Sequence, residues 1–153
     1  MNTANPIRPQ GCTNLKLRQL GRRVTSHYDA ELLKTGLKVT QYSLLSHVVK
    51  LGPLRPVDLA AAMRMSASTL SRNLQPLVAQ GLLEVLPGVD ARSRLVIATE
   101  AGQIKRAEAQ RRWRAAQEQL NQMLGVERVL ALHSLIDEAL ELLASEETGE
   151  DDV

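Results

Sequence analysis

The sequence has few aromatic residues and almost no cysteine. It contains no Phe, two Tyr and one Trp among 153 residues, and Leu and Ala are abundant. Such a composition favours packed helices over a sheet core. A chain of this length forms one domain that buries ~68 to 70% of its unfolded surface. The single cysteine, Cys12, has no partner for an internal disulfide, and without export signals it indicates a reducing cytoplasm.

Other patterns that would assign a location or a chemistry are missing. No apolar run reaches 18 residues, and the N-terminus has no apolar core, so neither a membrane span nor a secretory signal is expected. There is no nucleophile elbow, zinc-binding histidine pair or phosphate-cradling glycine loop. The three histidines lack ligand-like spacing with carboxylates or Cys12. We therefore expect a cytoplasmic protein that is not an enzyme and has no metal or cofactor.

The charge of the chain is strongly divided. Residues 1–114 contain 18 Lys and Arg against 7 Asp and Glu, a net charge of +11, whereas residues 115–153 contain 1 against 10, a net charge of −9. A basic body of this kind predicts salt-dependent binding to a polyanion. The acidic tail, residues 146–153, either helps to orient the protein in that field or only confers solubility.

Two short helices with a tight turn are predicted between residues 56 and 80. Pro56 is suited to the first turn of a helix, where its missing amide costs nothing. The turn falls at residues 64–66, and Ser66 can cap the second helix. The inward face of that helix is predicted from residues spaced at i, i+4, i+7 and i+8, namely Leu70, Leu74, Leu77 and Val78. Pro76 predicts a bend on the side opposite the polar face.

The opposite face of the second helix carries small polar groups around one cation: Ser68, Thr69, Ser71, Arg72 and Gln75. Arg pairs with guanine or phosphate, Gln pairs with adenine, and short hydroxyls permit close approach to a major groove. A merely solvated polar face is the alternative for an isolated helix of this pattern.

A small strand pair follows this helix. Gly81 ends the helix, residues 82–86 read as a strand, residues 87–90 as a loop and residues 95–98 as the return strand, before Thr99 caps a long helix reaching about Leu124. The order is that of a winged helix-turn-helix, so the predicted fold is mainly α with a small β-hairpin wing. The wing carries three charged residues suited to a DNA backbone or minor groove, Asp90, Arg92 and Arg94.

Both ends of the chain carry apolar helical stripes outside this module. One stripe comprises Leu17, Leu20, Val24, Tyr28 and Leu32, and the other comprises Val129, Leu132, Ile136, Ala139 and Leu143. Such stripes pack against each other or against a second copy, and a two-fold dimer matches DNA half-sites about 34 to 36 Å apart. We predict an arm (residues 1–13), dimerisation helices (residues 14–34 and 100–145), a winged helix-turn-helix (residues 37–98) and the acidic tail.

Six segments, in order, resemble the multiple-antibiotic-resistance regulator (MarR) family: Gly36–Leu45, Asp58–Ala60, Thr69–Arg72, Gly81–Leu83, Asp90–Arg92 and Thr99–Gly102. The resemblance covers roughly residues 15 to 145. It implies a homodimeric bacterial transcription factor, usually a repressor, that straddles a pseudo-palindromic operator. It also implies that the polar face of the second helix lies at the groove, that Arg92 enters a minor groove and that Asp90 orients basic side chains of the wing.

The resemblance further implies an effector, since a small phenolic or lipophilic compound often binds near the dimer helices in this family. His27, Tyr28, Tyr42 and His47 lie on the first two helices, where they either contact such a ligand or are core and rim residues. Some relatives sense peroxides through a cysteine near the first helix, and Cys12 has Lys16 and Arg18 close by. Two alternatives therefore stay open: a redox-sensing regulator using Cys12, and a winged-helix protein-interaction module without operator binding.

The long helix after the wing is unusually basic and contains the only tryptophan. Its cations are Lys105, Arg106, Arg111, Arg112 and Arg114. They either add phosphate contacts, line an anionic ligand pocket or form a solvated face, in which case Trp113 anchors the dimer core.

Overall fold

The computed structural model describes residues 7–90 and 92–147, with side chains through residue 144. The helices are α1 (Thr13–Leu32), α2 (Val39–Leu51), α3 (Pro56–Ala62), α4 (Ala67–Ala79), α5 (Glu100–Leu124) and α6 (Val126–Glu147), with a 3-10 turn at Leu33–Thr35 after α1. The strands are β1 (Leu83–Pro87) and β2 (Arg94–Ala98). The predicted mainly helical winged helix-turn-helix with a β-hairpin wing is confirmed. The chain divides into two compact units, Met1–Trp113 and Arg114–Val153, and the division falls within the sequence of α5.

Leucine dominates the core of the first unit. The side chains with almost no exposed surface include Leu32, Leu44, Leu45, Leu59, Leu70, Leu77, Leu83 and Val96. Burying each such side chain contributes about 1.5 to 3 kcal/mol. The core is therefore assembled from branched aliphatic side chains contributed by four helices and two strands, as expected from a sequence without Phe.

The helix pair follows the local signals of the sequence. α3 begins at Pro56, and the hydroxyl of Ser66 accepts a hydrogen bond of 3.2 Å from the amide of Thr69 at the start of α4. Leu70, Leu74 and Leu77 are buried as predicted. Val78 was wrongly assigned to the inward face, because its side chain is 39% exposed. At i+8 it lies about 80° around the helix from Leu70, at the edge of the buried face.

The prediction for Pro76 was also wrong. The residue is exposed, and α4 is a single helix from Ala67 to Ala79 that includes it. Pro76 follows Arg72 by four residues, so the two share one side of the helix instead of lying on opposite sides. The missing amide would have bonded to the carbonyl of Arg72, and on an exposed face water can serve that carbonyl.

The wing is an antiparallel hairpin tied to the body by one additional pairing. Val85 of β1 lies opposite Val96 of β2, and Leu83 lies opposite Ala98. Leu54, which precedes α3, bonds to Val96 in both directions at 3.2 and 2.9 Å. β1 starts one residue later than predicted because the amide of Leu82 is still bonded to the carbonyl of Leu77 in the turn that ends α4.

The start of α5 is fixed against the end of α4. Thr99 accepts a hydrogen bond from the amide of Gly102 at 3.0 Å, as expected of a cap, and its hydroxyl also donates to the carbonyl of Gly81 at 2.6 Å. Gly102 is buried, and a Cβ at this position would overlap the carbonyl oxygen of Leu82. Only a residue without a side chain therefore permits this approach of helix and chain.

Trp113 contacts the core of the first unit. Its ring stacks on Tyr42 of α2, with centroids 6.1 Å apart, and it packs against the core of the first unit. The expected role as an anchor of the dimer core stays a prediction. No helix in the described part of the chain has both the length and the apolar character needed to cross a membrane.

Candidate nucleic-acid interface

The outward face of α4 presents the predicted polar residues. Ser68, Ser71, Arg72 and Gln75 are exposed, and Thr69 is half-buried. Ser66 is occupied locally, since its hydroxyl donates to Thr69 Oγ1 at 2.9 Å while lying 3.2 Å from Ser68 Oγ. Within residues 7–90 and 92–147, the side chains of Arg72 and Gln75 have no hydrogen-bond or ion-pair partner. These two long side chains are therefore free to bond outside the protein.

Asp90 organises the tip of the wing. Its Oδ1 accepts hydrogen bonds from the amides of Arg92 at 3.0 Å and Ser93 at 2.8 Å. The bond from the Arg92 amide, then those from the amide and hydroxyl of Ser93, lower the pKa of the Asp90 carboxyl group. The carboxylate thus bonds to the backbone of the wing turn. This bond fixes the backbone at Arg92, whose side chain is exposed at the tip of the wing.

Arg94 belongs to the wing and lies on the side of it that adjoins α4. It begins β2, is exposed and lines a groove of about 720 Å³. The apolar lining of the groove includes Val57, Val78 and Val85, and the α4 side chains Ser71 and Gln75 also contribute. Arg94 is therefore on the same side of the molecule as the polar face of α4, so a single surface can combine the two.

Most cations of the first half of α5 have partners inside the protein. Lys105 donates to the carbonyl of Thr35 at 3.1 Å and lies 3.5 Å from Glu108. Arg106 donates to Ser46 Oγ at 3.3 Å, and Arg112 lies 3.5 Å from Glu31. These bonds attach α5 to α1, α2 and the intervening turn, so these three side chains have a structural role in place of the solvated face considered above.

The four residues expected near an effector are divided between core and rim. Tyr42 is buried, and Tyr28 is 8% exposed with His27 edge-on to it at 5.9 Å. Burial raises the pKa of the Tyr28 phenol. His47 Nδ1 lies 2.8 Å from the carbonyl of Ser43. None of the four lines the groove beside the wing.

Cys12 is exposed and occupies the N-cap position of α1, where its carbonyl accepts a bond of 3.0 Å from the amide of Lys16.

In the part of the chain that the structure describes, no three His, Cys, Asp or Glu side chains gather in a way that could hold a metal ion.

One residue of this surface was not identified from the sequence. Arg64 is exposed in the turn between α3 and α4 and has a left-handed backbone, with φ of 51°. The sequence contains an indirect signal for this residue. Gly36, Gly81 and Gly125 adopt the left-handed conformation elsewhere, whereas the turn of the helix pair contains no glycine, and a non-glycine residue takes that conformation there.

The comparisons with known proteins agree with this geometry. Residues 35–93 match the family model described as MarR family. The M. tuberculosis transcriptional regulator MosR, solved in complex with DNA, is 29% identical with a TM-score of 0.71, over 85% of this chain and 98% of that one. A comparison with curated proteins gives no match.

Two further solved structures share the fold at lower identity. A mutant MarR from E. coli complexed with operator DNA is 21% identical with a TM-score of 0.74, over 83% of this chain and 92% of that one. The S. aureus MepR–DNA complex is 16% identical with a TM-score of 0.74, over 86% of this chain and 98% of that one. The family model covers α2 through the turn of the wing and ends before β2, and the likeness in fold extends over most of the chain, so residues 35–93 are similar to the MarR family and the chain shares the winged helix-turn-helix fold of these regulators.

Proposed function

We propose that the protein is a homodimeric repressor that binds a pseudo-palindromic DNA operator through α4 and the wing. The observation that carries this proposal is the groove that Gln75 of α4 and Arg94 of the wing line together, with Arg72 exposed on the same helix; none of the three has an internal partner among the described residues. Exposed guanidinium groups suit a polyanion, and a long amide suits the edge of a base. The solved DNA complexes of MosR, MarR and MepR support this assignment.

The α4 helix and the wing make different contacts with DNA in this proposal. The face of α4 bears groups that read base edges, with Arg72 matched to guanine and Gln75 to adenine. The wing bears Arg92 on a turn that Asp90 holds in place, which suits insertion into the minor groove. Ser68, Thr69 and Ser71 are small enough to let the helix approach the groove closely, and Ser66 caps it.

A second copy of the chain is the proposed partner of α6. In the second unit this helix exposes large apolar side chains, among them Leu130, Leu135, Ile136, Leu142 and Leu143. In the first unit α1 exposes Leu15, Leu17 and Leu20. Exposed apolar side chains in this number on one helix indicate an interaction site. A two-fold dimer would also present two α4 helices to successive major grooves, about 34 to 36 Å apart.

Release of the operator by a small lipophilic or phenolic ligand is the second part of the proposal. Tyr28 is one proposed contact, because its largely buried phenol combines an apolar ring with a hydroxyl group that can donate or accept a hydrogen bond. His27, Tyr42 and His47 are the other proposed contacts. Titration with a panel of phenols, followed by loss of the DNA complex, would test this part, and Tyr28→Phe should weaken the response without changing DNA binding.

The exposure of Cys12 at the start of α1 favours oxidation as an alternative signal. In that case hydroperoxide should release DNA from the wild type and leave the Cys12→Ser variant bound. If both proteins respond alike, the redox alternative is excluded and the ligand remains the proposed signal.

The central experiment measures duplex binding as a function of salt. A duplex is selected from a random pool with the wild-type protein, and fluorescence anisotropy then follows its binding between 50 and 200 mM salt. We expect a steep loss of affinity with salt and a shallower slope for Arg92→Ala. A protein-interaction module would bind no duplex in a salt-sensitive manner, and that result would refute the proposal.

A further inference from the structure

Arg64 has a backbone conformation that its side chain makes unfavourable. Its φ of 51° lies in the left-handed region, where the Cβ of an L-residue crowds the following carbonyl. Within the described ranges 7–90 and 92–147, every other residue with positive φ is glycine. The chain therefore accepts strain at this one position.

The hydrogen bonds around Arg64 show what the turn requires. Its amide bonds to the carbonyl of Ala61 at 3.1 Å, and the amide of Met65 bonds to Ala60 at 3.0 Å. This pair of bonds is a Schellman motif, which ends a helix with one left-handed residue, most often glycine. The motif is satisfied by the backbone alone, and it makes no use of a guanidinium group.

The end of α4 provides an internal comparison. There the amide of Gly81 bonds to Val78 at 3.0 Å and the amide of Leu82 bonds to Leu77 at 2.9 Å, which is the same pair of bonds. The left-handed position is Gly81 in that motif and Arg64 in the motif that ends α3. The left-handed position is thus occupied by glycine at the end of α4, where it causes no strain, and by arginine at the end of α3, where it does.

The Arg64 side chain contributes no contact that would offset the strain. It is exposed, and it has no hydrogen-bond or ion-pair partner in the described part of the chain. The neighbouring Met65, in contrast, packs partly buried against the core and fastens the turn. No contact among the described residues therefore accounts for an arginine here, and its charge is available to a polyanionic partner.

The position of the residue identifies that partner. Arg64 precedes the cap Ser66 by two residues, next to the N-terminal end of α4. The N-terminal residues of a recognition helix contact base edges, so the turn before them lies beside the sugar-phosphate backbone that flanks the groove. We propose that Arg64 binds a DNA backbone phosphate there, and that the turn tolerates backbone strain to retain this charge. This inference rests on the proposed operator binding.

The decisive variant is Arg64→Gly, which should change stability and DNA binding in opposite directions. Removing the strained side chain should raise the midpoint of thermal unfolding by roughly 2 to 4 °C. Removing the charge should weaken binding to selected and random duplexes alike. The slope of log K against log salt should fall by about 0.9 for each protein copy on the duplex. A residue with a purely structural role would not produce this combination.

Three further variants separate charge from strain. Arg64→Gln removes the charge and keeps the strained backbone, so it should show the same reduction of the salt slope as Arg64→Gly without gaining stability. Arg64→Lys keeps the charge and should stay close to the wild type in both measurements. Gly81→Ala introduces strain at the matching position, where an added Cβ meets no atom within 4 Å, and should lower the unfolding midpoint with DNA binding unchanged.

The outcomes distinguish this inference from the proposed function. If the wild type binds duplex in a salt-sensitive way but Arg64→Gly and Arg64→Gln retain its slope, the phosphate contact is refuted. If Arg64→Gly is no more stable than the wild type, the strain argument fails. If the wild type itself binds no duplex, operator binding is refuted before Arg64 is tested.

Discussion

The contact between Gly102 and the carbonyl of Leu82 makes a prediction in which two effects of known sign compete. In an ordinary helix, replacing glycine by alanine stabilises the helix by roughly 0.5 to 1 kcal/mol, because the freedom of the unfolded backbone is reduced. At position 102 the new Cβ would overlap the oxygen of Leu82, which belongs to the main chain and is not free to rotate away. The start of α5 would have to move by about 1 Å to reach van der Waals distance.

The steric effect should be the larger of the two. Overpacking of this kind typically costs about 1 to 3 kcal/mol, which exceeds the gain in helix propensity. Taken at the middle of both ranges, Gly102→Ala should therefore lower the free energy of unfolding by about 1 kcal/mol net. Because Leu82 joins α4 to β1, the displacement should also shift the wing and weaken duplex binding.

Gly21→Ala is the matched control. Gly21 also lies inside a helix, α1, but an added Cβ would meet no atom of the chain within 4 Å. This variant should be more stable than the wild type by about 0.5 to 1 kcal/mol. Urea unfolding at fixed protein concentration measures both variants. If Gly102→Ala proves as stable as the wild type while Gly21→Ala behaves as expected, the close approach does not constrain the fold and the reasoning is refuted.

Three other predictions concern the DNA surface and the assembly. Arg72→Ala should weaken binding to the selected duplex by about 1 to 3 kcal/mol and relax sequence preference, whereas equal weakening on random duplex would indicate a phosphate contact only. The lowered pKa of Asp90 means that its bonds to the wing turn are complete above the ordinary Asp pKa of about 4 and are lost as the pH falls through the lower folded value. The protection of the Arg92 and Ser93 amides from hydrogen exchange, relative to the intrinsic rate at each pH, should therefore fall in acid, and Asp90→Asn should remove this pH dependence. Leu135→Glu, at a 64% exposed position of α6, should convert a species of twice 16.8 kDa into a monomer in sedimentation; a variant that remains a dimer would show that this part of α6 is outside the interface.

Features that depend on neighbouring residues were predicted correctly. Pro56 at the start of α3, Ser66 before α4 and Thr99 before α5 occupy the predicted positions, because capping involves bonds within three or four residues. The burial of Leu70, Leu74 and Leu77 follows from helical periodicity in the same way. The outward polar face of α4 is the complement of that pattern.

Features that depend on how helices and strands pack were predicted less well. Val78 has the helical spacing of a core residue. The width of the buried face, however, is set by the helices and strands that pack against it, and Val78 lies at the edge of that packed area. The cations of α5 read as a basic surface, but Lys105, Arg106 and Arg112 bond to groups 60 to 81 residues away in the sequence. No local pattern contains that information.

The sequence by itself determined the order of helices and strands, their caps, the polar face of α4 and the division of charge, since each of these arises from residues a few positions apart. Only the tertiary structure decided that Trp113 stacks on Tyr42, that Arg106 bonds to Ser46 and that Arg64 adopts a left-handed turn. Those outcomes depend on where distant segments meet and on the dihedral angles that the junction between two packed helices imposes. The physical reason is that a side chain's partners are fixed only after the core has closed around them.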